Sequence, residues 1–395
     1  MLELLFWILF AIVGYTYFGY AALLFLMVQV KRLFSKKEEK TEQTVRQLPE
    51  VCLFVTAYNE TDCIDQKVTN SFALNYPKEK LQYIWITDGS DDGSPEKLRQ
   101  YPQLEVYHLD ERRGKMHAMN RGMKFVRTPI VVFSDANTLL GKDSVMEIVR
   151  EFTKPEVGCI AGEKRILEKT SDEAATAGES FYWKFESWIK QLDSELNSAV
   201  GAVGELFAIR SKLFEEVEED TLLDDFIISL RIAMKGYKIS YVPRAYAMET
   251  ASVSVSEEMK RKIRIAAGGI QTLLRLKPLL NPFRFRLLSF QYISHKVLRW
   301  TIAPVALFSL FIVNFSMIVS VSDLLGTGFF CIFFYFQLSM YMAAMLGRLF
   351  EHRKTRLKLA FVPYYFASMN YAAIAGWLRF LKGKQSVKWE KVKRA

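Results

Sequence analysis

Between Val51 and Phe133 short apolar runs alternate with polar stretches of helical pattern. Val51 to Thr56, Leu81 to Ile86, Leu104 to Leu109 and Ile130 to Phe133 each read as a strand, the first and last buried on both faces. An amphipathic stretch follows the first strand to about Leu74, and Arg112-Arg113-Gly114-Lys115 opens a helix through Met123. This alternation predicts an α/β fold, with a mostly parallel sheet and right-handed crossovers. The turns after the strands carry polar side chains, so one rim of the sheet collects them. They include Asn59-Glu60, Asp88-Gly89-Ser90 and Ser134-Asp135-Ala136-Asn137. Downstream, Lys169 to Val200 reads as an aromatic-rich helix, which predicts a core or membrane-facing stripe and leaves sugar stacking open for one ring. Gly201 to Arg210 is a Gly-punctuated turn into a strand. Asp220 to Lys235 ends in an apolar helix closed by Gly236.

Longer apolar runs flank this region. Leu4 to Val30 carries no charge. A helix of that length reaches roughly 40 Å, more than the roughly 30 Å of a bilayer core. No basic residue precedes it and no small-residue cleavage site follows, so residues 1–34 predict a retained anchor. Residues 35–49 read as a polar linker and 50–280 as the α/β domain. Residues 281–300 mix Arg284, Arg286, Lys296 and Arg299 with aromatics, which predicts a helix in the membrane interface. Residues 301–347 predict a transmembrane hairpin. The basic region 348–395 holds a third apolar stretch, Leu359 to Leu378, interrupted by Pro363 and Asn370. A full span there would put the basic tail outside, so an interfacial or re-entrant segment is expected.

Composition sharpens this picture at two points. The formal net charge is +10, and Lys31, Arg32, Lys36 and Lys37 directly follow the anchor. That placement predicts a multi-pass plasma (inner) membrane protein with its α/β domain in the cytoplasm. It argues against a nucleic-acid partner, which would need a basic stripe interleaved with aromatics. The four cysteines form no CxxC pair, and the four histidines show no metal-ligand spacing.

The rim residues suggest chemistry. Asp135 and Asn137 offer hard oxygen ligands at the carboxyl end of a buried strand, suited to Mg²⁺ or Mn²⁺ carrying a phosphate. A strand followed by an Asx turn is the plain alternative. Arg113 and Lys115 supply positive charge at a helix start. Asp88 is placed to accept from a base N–H, with Ala57, Asn59 and Glu60 nearby, and Gly89 permits close backbone approach. That Gly/Asp-rich segment also reads as a simple turn. Asp225 is the candidate general base, with Asp224 as helper; both also suit helix capping. Arg261 and Arg264, three apart on a helix, would clamp a leaving diphosphate, or form a basic face near lipid headgroups.

In order, Thr56-Ala57-Tyr58-Asn59-Glu60, Asp88-Gly89-Ser90, Arg113-Gly114-Lys115, Asp135-Ala136-Asn137 and Asp224-Asp225 with Leu230-Arg231 resemble inverting family 2 glycosyltransferases of GT-A fold. Arg261-x-x-Arg264-Ile265 resembles the Gln-x-x-Arg-Trp element of the cellulose, hyaluronan and poly-N-acetylglucosamine synthase branch. The likeness covers roughly residues 50 to 275. It implies a Rossmann-like GT-A domain, a UDP-sugar donor and a Mg²⁺ or Mn²⁺ ion. It assigns Ala57, Asn59, Glu60, Asp88, Gly89, Arg113, Lys115 and Asp135 to the nucleotide, and Asp135 and Asn137 to the metal. Asp225 becomes the base, Arg261 and Arg264 the diphosphate contacts, and Gly204 and Glu205 acceptor contacts. Asn137 replaces the usual second Asp, which lowers site charge. Asp224 replaces Glu, Arg261 replaces Gln, and Ile265 replaces the Trp that contacts acceptor in processive enzymes.

The expected function is therefore sugar transfer from a UDP-sugar to a saccharide or lipid-linked acceptor, in exopolysaccharide or cell-envelope glycan synthesis. Membrane lipids are partners, and secretion subunits or further copies of the chain remain open. A transporter or channel subunit with a regulatory nucleotide-binding domain is the alternative. It would need polar residues inside the spans, and the two hairpin runs carry no charge over Thr301–Ser322 and Leu324–Gly347.

Overall fold

The computed structural model describes residues 1–34, 47–167, 173–250, 255–320, 328–350 and 358–383. The linker segment 35–46 and the basic tail from 384 lie outside the described residues.

Eight strands form one sheet: β1 (Val51–Ala57), β2 (Leu81–Asp88), β3 (Glu105–Leu109), β4 (Ile130–Asp135), β5 (Leu139–Leu140), β6 (Val157–Leu167), β7 (Leu206–Arg210) and β8 (Lys238–Thr250). Their order is β3-β2-β1-β4-β7-β6-β8-β5. The first four are parallel, as the alternation predicts. Beyond β4 the sheet is mixed: β7 runs antiparallel to β4 and β6, and β6 is parallel to β8. Strands β6 and β8 were not marked by the apolar-run pattern. Their inner ends are apolar, but β6 carries Glu163, Lys164 and Arg165 where a buried strand would be uninterrupted.

Alternate residues of each strand feed two cores. Cys52, Phe54, Ile84, Ile86, Val131 and Phe133 face one side, with the helices Lys115–Met123 and Asp224–Met234. Val51, Leu53, Val55, Trp85, Ile130 and Val132 face the other, with the helices Ile64–Phe72 and Ser144–Glu151. Burial on both faces is why these runs show no polar alternation. Gly122 lets its helix lie tight on the sheet: a Cβ there would stand 2.4 Å from Phe54 Cζ.

Thr56 and Asp135 lie in register where β1 and β4 adjoin and the strand order turns back. This is a topological switch point, where open α/β sheets take their ligands.

Three described helices are long and apolar enough to cross a membrane: Leu2–Phe34, Ile302–Ser320 and Phe329–Leu349. The first includes a π-turn at Tyr15–Gly19. The segment before Ile302 is a broken series of short helices, Pro282–Phe285, Leu287–Tyr292 and Leu298–Trp300, with a π-turn at Ile293–Val297. The third apolar stretch forms a helix, Lys358–Leu381, that contains Pro363. It lies along the domain's own helix Val255–Arg275. A Cβ on Gly376 would come within 2.5 Å of Ala266 Cβ, so the two helices touch backbone to backbone.

Candidate active site

Helix Lys115–Met123 begins under the carboxyl ends of β2 and β4. Asp88, at the end of β2, is buried and accepts from the backbone N–H groups of Arg113 (3.1 Å) and Gly114 (2.7 Å). It thus satisfies donors at a helix start that have no intrahelical partner. Gly89 follows at φ +66°, and a Cβ there would meet Arg112 at 2.6 Å, so only glycine fits. Arg112 covers the Tyr58 ring at 3.7 Å. Asn59, itself at φ 55°, exchanges two hydrogen bonds with Asp91 at 2.7 and 3.0 Å and ties the β1 and β2 turns together. The Arg113 side chain pairs with Glu219 at 2.9 Å. Ala57 is fully buried at the end of β1.

Lys115 is the hinge of the site. Its Nζ is 2.9 Å from Asp135 Oδ1 and 3.1 Å from Asp224 Oδ2. It thereby joins the end of β4 to the first turn of helix Asp224–Met234. Burial disfavours its charge, but Asp135 and Asp224 outweigh that and raise its pKa. A Cβ on Gly204 would stand 3.7 Å from both Lys115 Nζ and Asp225 Oδ2. Asp225 therefore shares the cluster. Burial, then the neighbouring Asp224, pushes its pKa up to about 8, with Lys115 opposing. Asp135, Asp224 and Asp225 meet in one cavity of about 1490 Å³, which Asn137, Glu60, Gly204 and Glu205 also line.

A second cluster borders the first. Glu205 accepts from Lys164 at 2.6 Å and from Arg261 at 3.0 Å. Lys164 also pairs with Glu249, and Arg261 stands 3.8 Å from Glu249 and 3.7 Å from Glu258. Burial opposes the Glu205 charge, but Lys164 and Arg261 hold the carboxyl well below its usual range. Burial and Arg261 push Lys164 down to about 8. Arg264 lines the same cavity. Trp183, from the aromatic helix, also lines it, with Lys164, Lys190 and Lys262 at 5.3, 5.6 and 5.1 Å from its ring. Trp183 is one of the rings of this helix for which the sequence left sugar stacking open; Lys164, within a strand, went unmarked.

Lys67 is another group that periodicity hides. It sits on the buried face of helix Ile64–Phe72 and donates to Ser134 Oγ at 2.6 Å and Thr138 O at 2.8 Å, behind Asp135. Burial pushes it down to about 7, with Asp135 opposing.

The donor set fits a divalent cation. Asn137 Oδ1 is buried and has no hydrogen-bond partner among the described residues. Among the described residues, Asp135 accepts from Lys115 through Oδ1. One carboxylate and one amide oxygen make a partial site of the kind that Mg²⁺ or Mn²⁺ completes with water and substrate phosphates.

The sheet order fits a GT-A fold, and the family match identifies the chain as a glycosyltransferase. The chain belongs to the family described as glycosyltransferase like family 2, whose model matches residues 49–268. It is 28% identical over 247 residues to poly-beta-1,6-N-acetyl-D-glucosamine synthase of Staphylococcus aureus, covering 60% of this chain and 58% of that one. To the same enzyme of Staphylococcus epidermidis it is 26% identical over 238 residues, covering 58% and 57%. The match thus spans under two thirds of these relatives. Among solved structures, the mannosyltransferase PcManGT from Pyrobaculum calidifontis, in complex with GDP-Man and Mn²⁺, superposes with a TM-score of 0.69 at 22% identity. That likeness covers 98% of this chain and 100% of that one, and it establishes the shared fold.

Proposed function

We propose that this protein transfers a sugar, with inversion, from a UDP-sugar to an acceptor hydroxyl at the cytoplasmic face of a membrane. The product is a cell-envelope glycan or exopolysaccharide precursor. The observation that carries this reading is the Lys115 bridge, which brings Asp135 and the Asp224–Asp225 pair into one cavity.

Asp135 and Asn137 would hold the Mg²⁺ or Mn²⁺ ion, which supplies charge neutralisation for the donor diphosphate. Lys115 keeps the carboxylates from repelling one another. Asp225 takes the acceptor proton, because a carboxyl raised to about 8 is a far stronger base than an ordinary one. Arg264 meets the departing diphosphate, while Arg261 orients Glu205 towards the acceptor side. Asp88 stiffens the loop on which Arg113 and Lys115 sit, beside the nucleotide.

The test is nucleoside diphosphate release by purified protein from a panel of UDP-sugars with Mn²⁺ or Mg²⁺. GDP-mannose belongs in the panel, because the solved neighbour binds GDP-Man. Metal-dependent UDP release from one sugar supports the reading. Release from GDP-mannose alone would move the donor to the guanine class, and neither release nor binding of any nucleotide would overturn it.

A further inference from the structure

Helix Ile64–Phe72 turns Ile64, Lys67, Val68 and Ser71 inwards, so a lysine stands on the face that the helix gives to the core. Lys67 and Thr138 are fully buried, and Ser134 is 4% exposed. The Lys67 ammonium donates to Ser134 Oγ at 2.6 Å, to Thr138 O at 2.8 Å and to Thr138 Oγ1 at 3.4 Å. These three partners are neutral oxygens. A charge enclosed in this way costs free energy, and a methionine of similar length would fill the space without that cost.

The hydroxyl protons of both partners are committed elsewhere. Thr138 Oγ1 donates to Asp135 O at 2.9 Å, and Ser134 Oγ donates to Glu205 O at 3.2 Å. Three acceptors with no proton to offer Lys67 need three N–H donors, and the ammonium form of one lysine supplies all three. Ser134 and Thr138 bracket Asp135 and Asn137 in the chain, so Lys67 closes this turn from behind while Asp135 and Asn137 line the cavity in front. The same helix holds the far end of the turn through Asn70, which donates to Leu140 O at 2.9 Å and accepts from Leu140 N at 2.8 Å. Asn137 Oδ1 has no hydrogen-bond partner among the described residues, so its place is set by the turn that carries it.

We propose that Lys67 is a positioning residue for the metal: it fixes the 134–138 turn so that Asp135 and Asn137 present their oxygens to one cation. This rests on the metal reading above and adds the residue that keeps its ligands in place. Charge and position predict opposite outcomes when Lys67 is replaced. A cation behind a dication repels it, so a role through charge alone means that an uncharged residue tightens metal binding. A role through position means that the same residue loosens it.

Lys67→Met and Lys67→Gln are both uncharged, but glutamine keeps two N–H donors. The assay is Mn²⁺ binding to the purified full chain in nanodiscs, read by electron paramagnetic resonance of the free ion. Calorimetry of UDP with and without Mn²⁺ accompanies it. Lys67→Met is expected to weaken Mn²⁺ binding about 10–100-fold, the usual cost of losing a group that orients a metal ligand. Lys67→Gln should weaken it less, and UDP affinity without metal should be unchanged in both. Ser71→Ala is the control on the same buried face: it removes the 2.8 Å hydrogen bond from Ser71 Oγ to Lys67 O and should leave Mn²⁺ binding unchanged. Should Lys67→Met not fold, Lys67→Gln carries the test. Mn²⁺ binding by Lys67→Gln as tight as that of the unaltered protein, or tighter, would overturn the proposal, as would an equal loss in Ser71→Ala. An unaltered protein that binds neither Mn²⁺ nor UDP with Mn²⁺ would instead bring down the metal reading, so the two failures are separable.

Discussion

Asp225→Asn separates a catalytic carboxylate from a helix cap. Asp225 titrates near 8 because burial and Asp224 disfavour its charge. An ordinary carboxylate titrates at 3.8. At about 1.36 kcal/mol per pH unit, the roughly three units from there to pH 7 correspond to up to roughly 4 kcal/mol. The sign follows from linkage. The folded pKa is raised, so the folded state gains below pH 4 and loses that gain as pH rises towards 8. An amide carries no such penalty. Asp225→Asn should therefore raise the thermal midpoint at pH 8 relative to the unaltered protein, with the difference vanishing near pH 4. Transfer should fall about 10²–10⁴-fold, the usual worth of a general base. The unaltered enzyme should show kcat/KM rising with pH to a plateau above about 8. Thermal unfolding across pH, paired with UDP-release kinetics, reads all three. A cap-only residue would give the opposite pattern, a lower midpoint with near-normal turnover. That outcome, or a flat kcat/KM profile between pH 6 and 9, would refute the reasoning.

Other outcomes follow from the same geometry. Asp135→Ala should abolish metal-dependent UDP binding, measured by calorimetry with and without Mn²⁺; unchanged affinity would remove Asp135 from the metal. Asn137→Asp adds a full charge beside an unsatisfied oxygen and should tighten Mn²⁺ binding about tenfold, since ligand charge sets affinity in oxygen sites. Lys115→Met leaves Asp135 and Asp224 without their shared cation and should cost about 3–5 kcal/mol at neutral pH in denaturant titration, with less loss in acid. Gly122→Ala places a methyl against Phe54 and Ile86 and should cost about 1–3 kcal/mol, while leaving UDP affinity within twofold.

Much of this protein is legible in one dimension. The parallel half of the sheet follows from runs such as Val51–Thr56, because a strand buried on both faces must be apolar throughout. The rim residues follow from position alone, since a turn after a buried strand is where polar side chains emerge. The three helices long and apolar enough to cross a membrane were legible because that property depends on length and apolarity alone. Helix Lys358–Leu381 was legible as apolar, but not as a partner of Val255–Arg275, since that contact depends on Gly376 meeting Ala266 across the fold. Strands β6 and β8 were hidden because their charged residues are satisfied by each other: Lys164 of β6 pairs with Glu249 of β8, which no local pattern records.

What the chain order alone determined is which residue types stand at which strand and helix ends. What only the tertiary structure decided is how they are shared out. Asp88 is spent on backbone N–H groups and Arg113 on Glu219, Arg261 is shared among Glu205, Glu249 and Glu258, and Lys115 spans from Asp135 to Asp224. Charge pairing acts through space over a few ångströms, so partners far apart in sequence compete on equal terms with neighbours. The same holds for the cavity: its apolar reach between helices exists only once segments from both ends of the chain pack around the carboxylates.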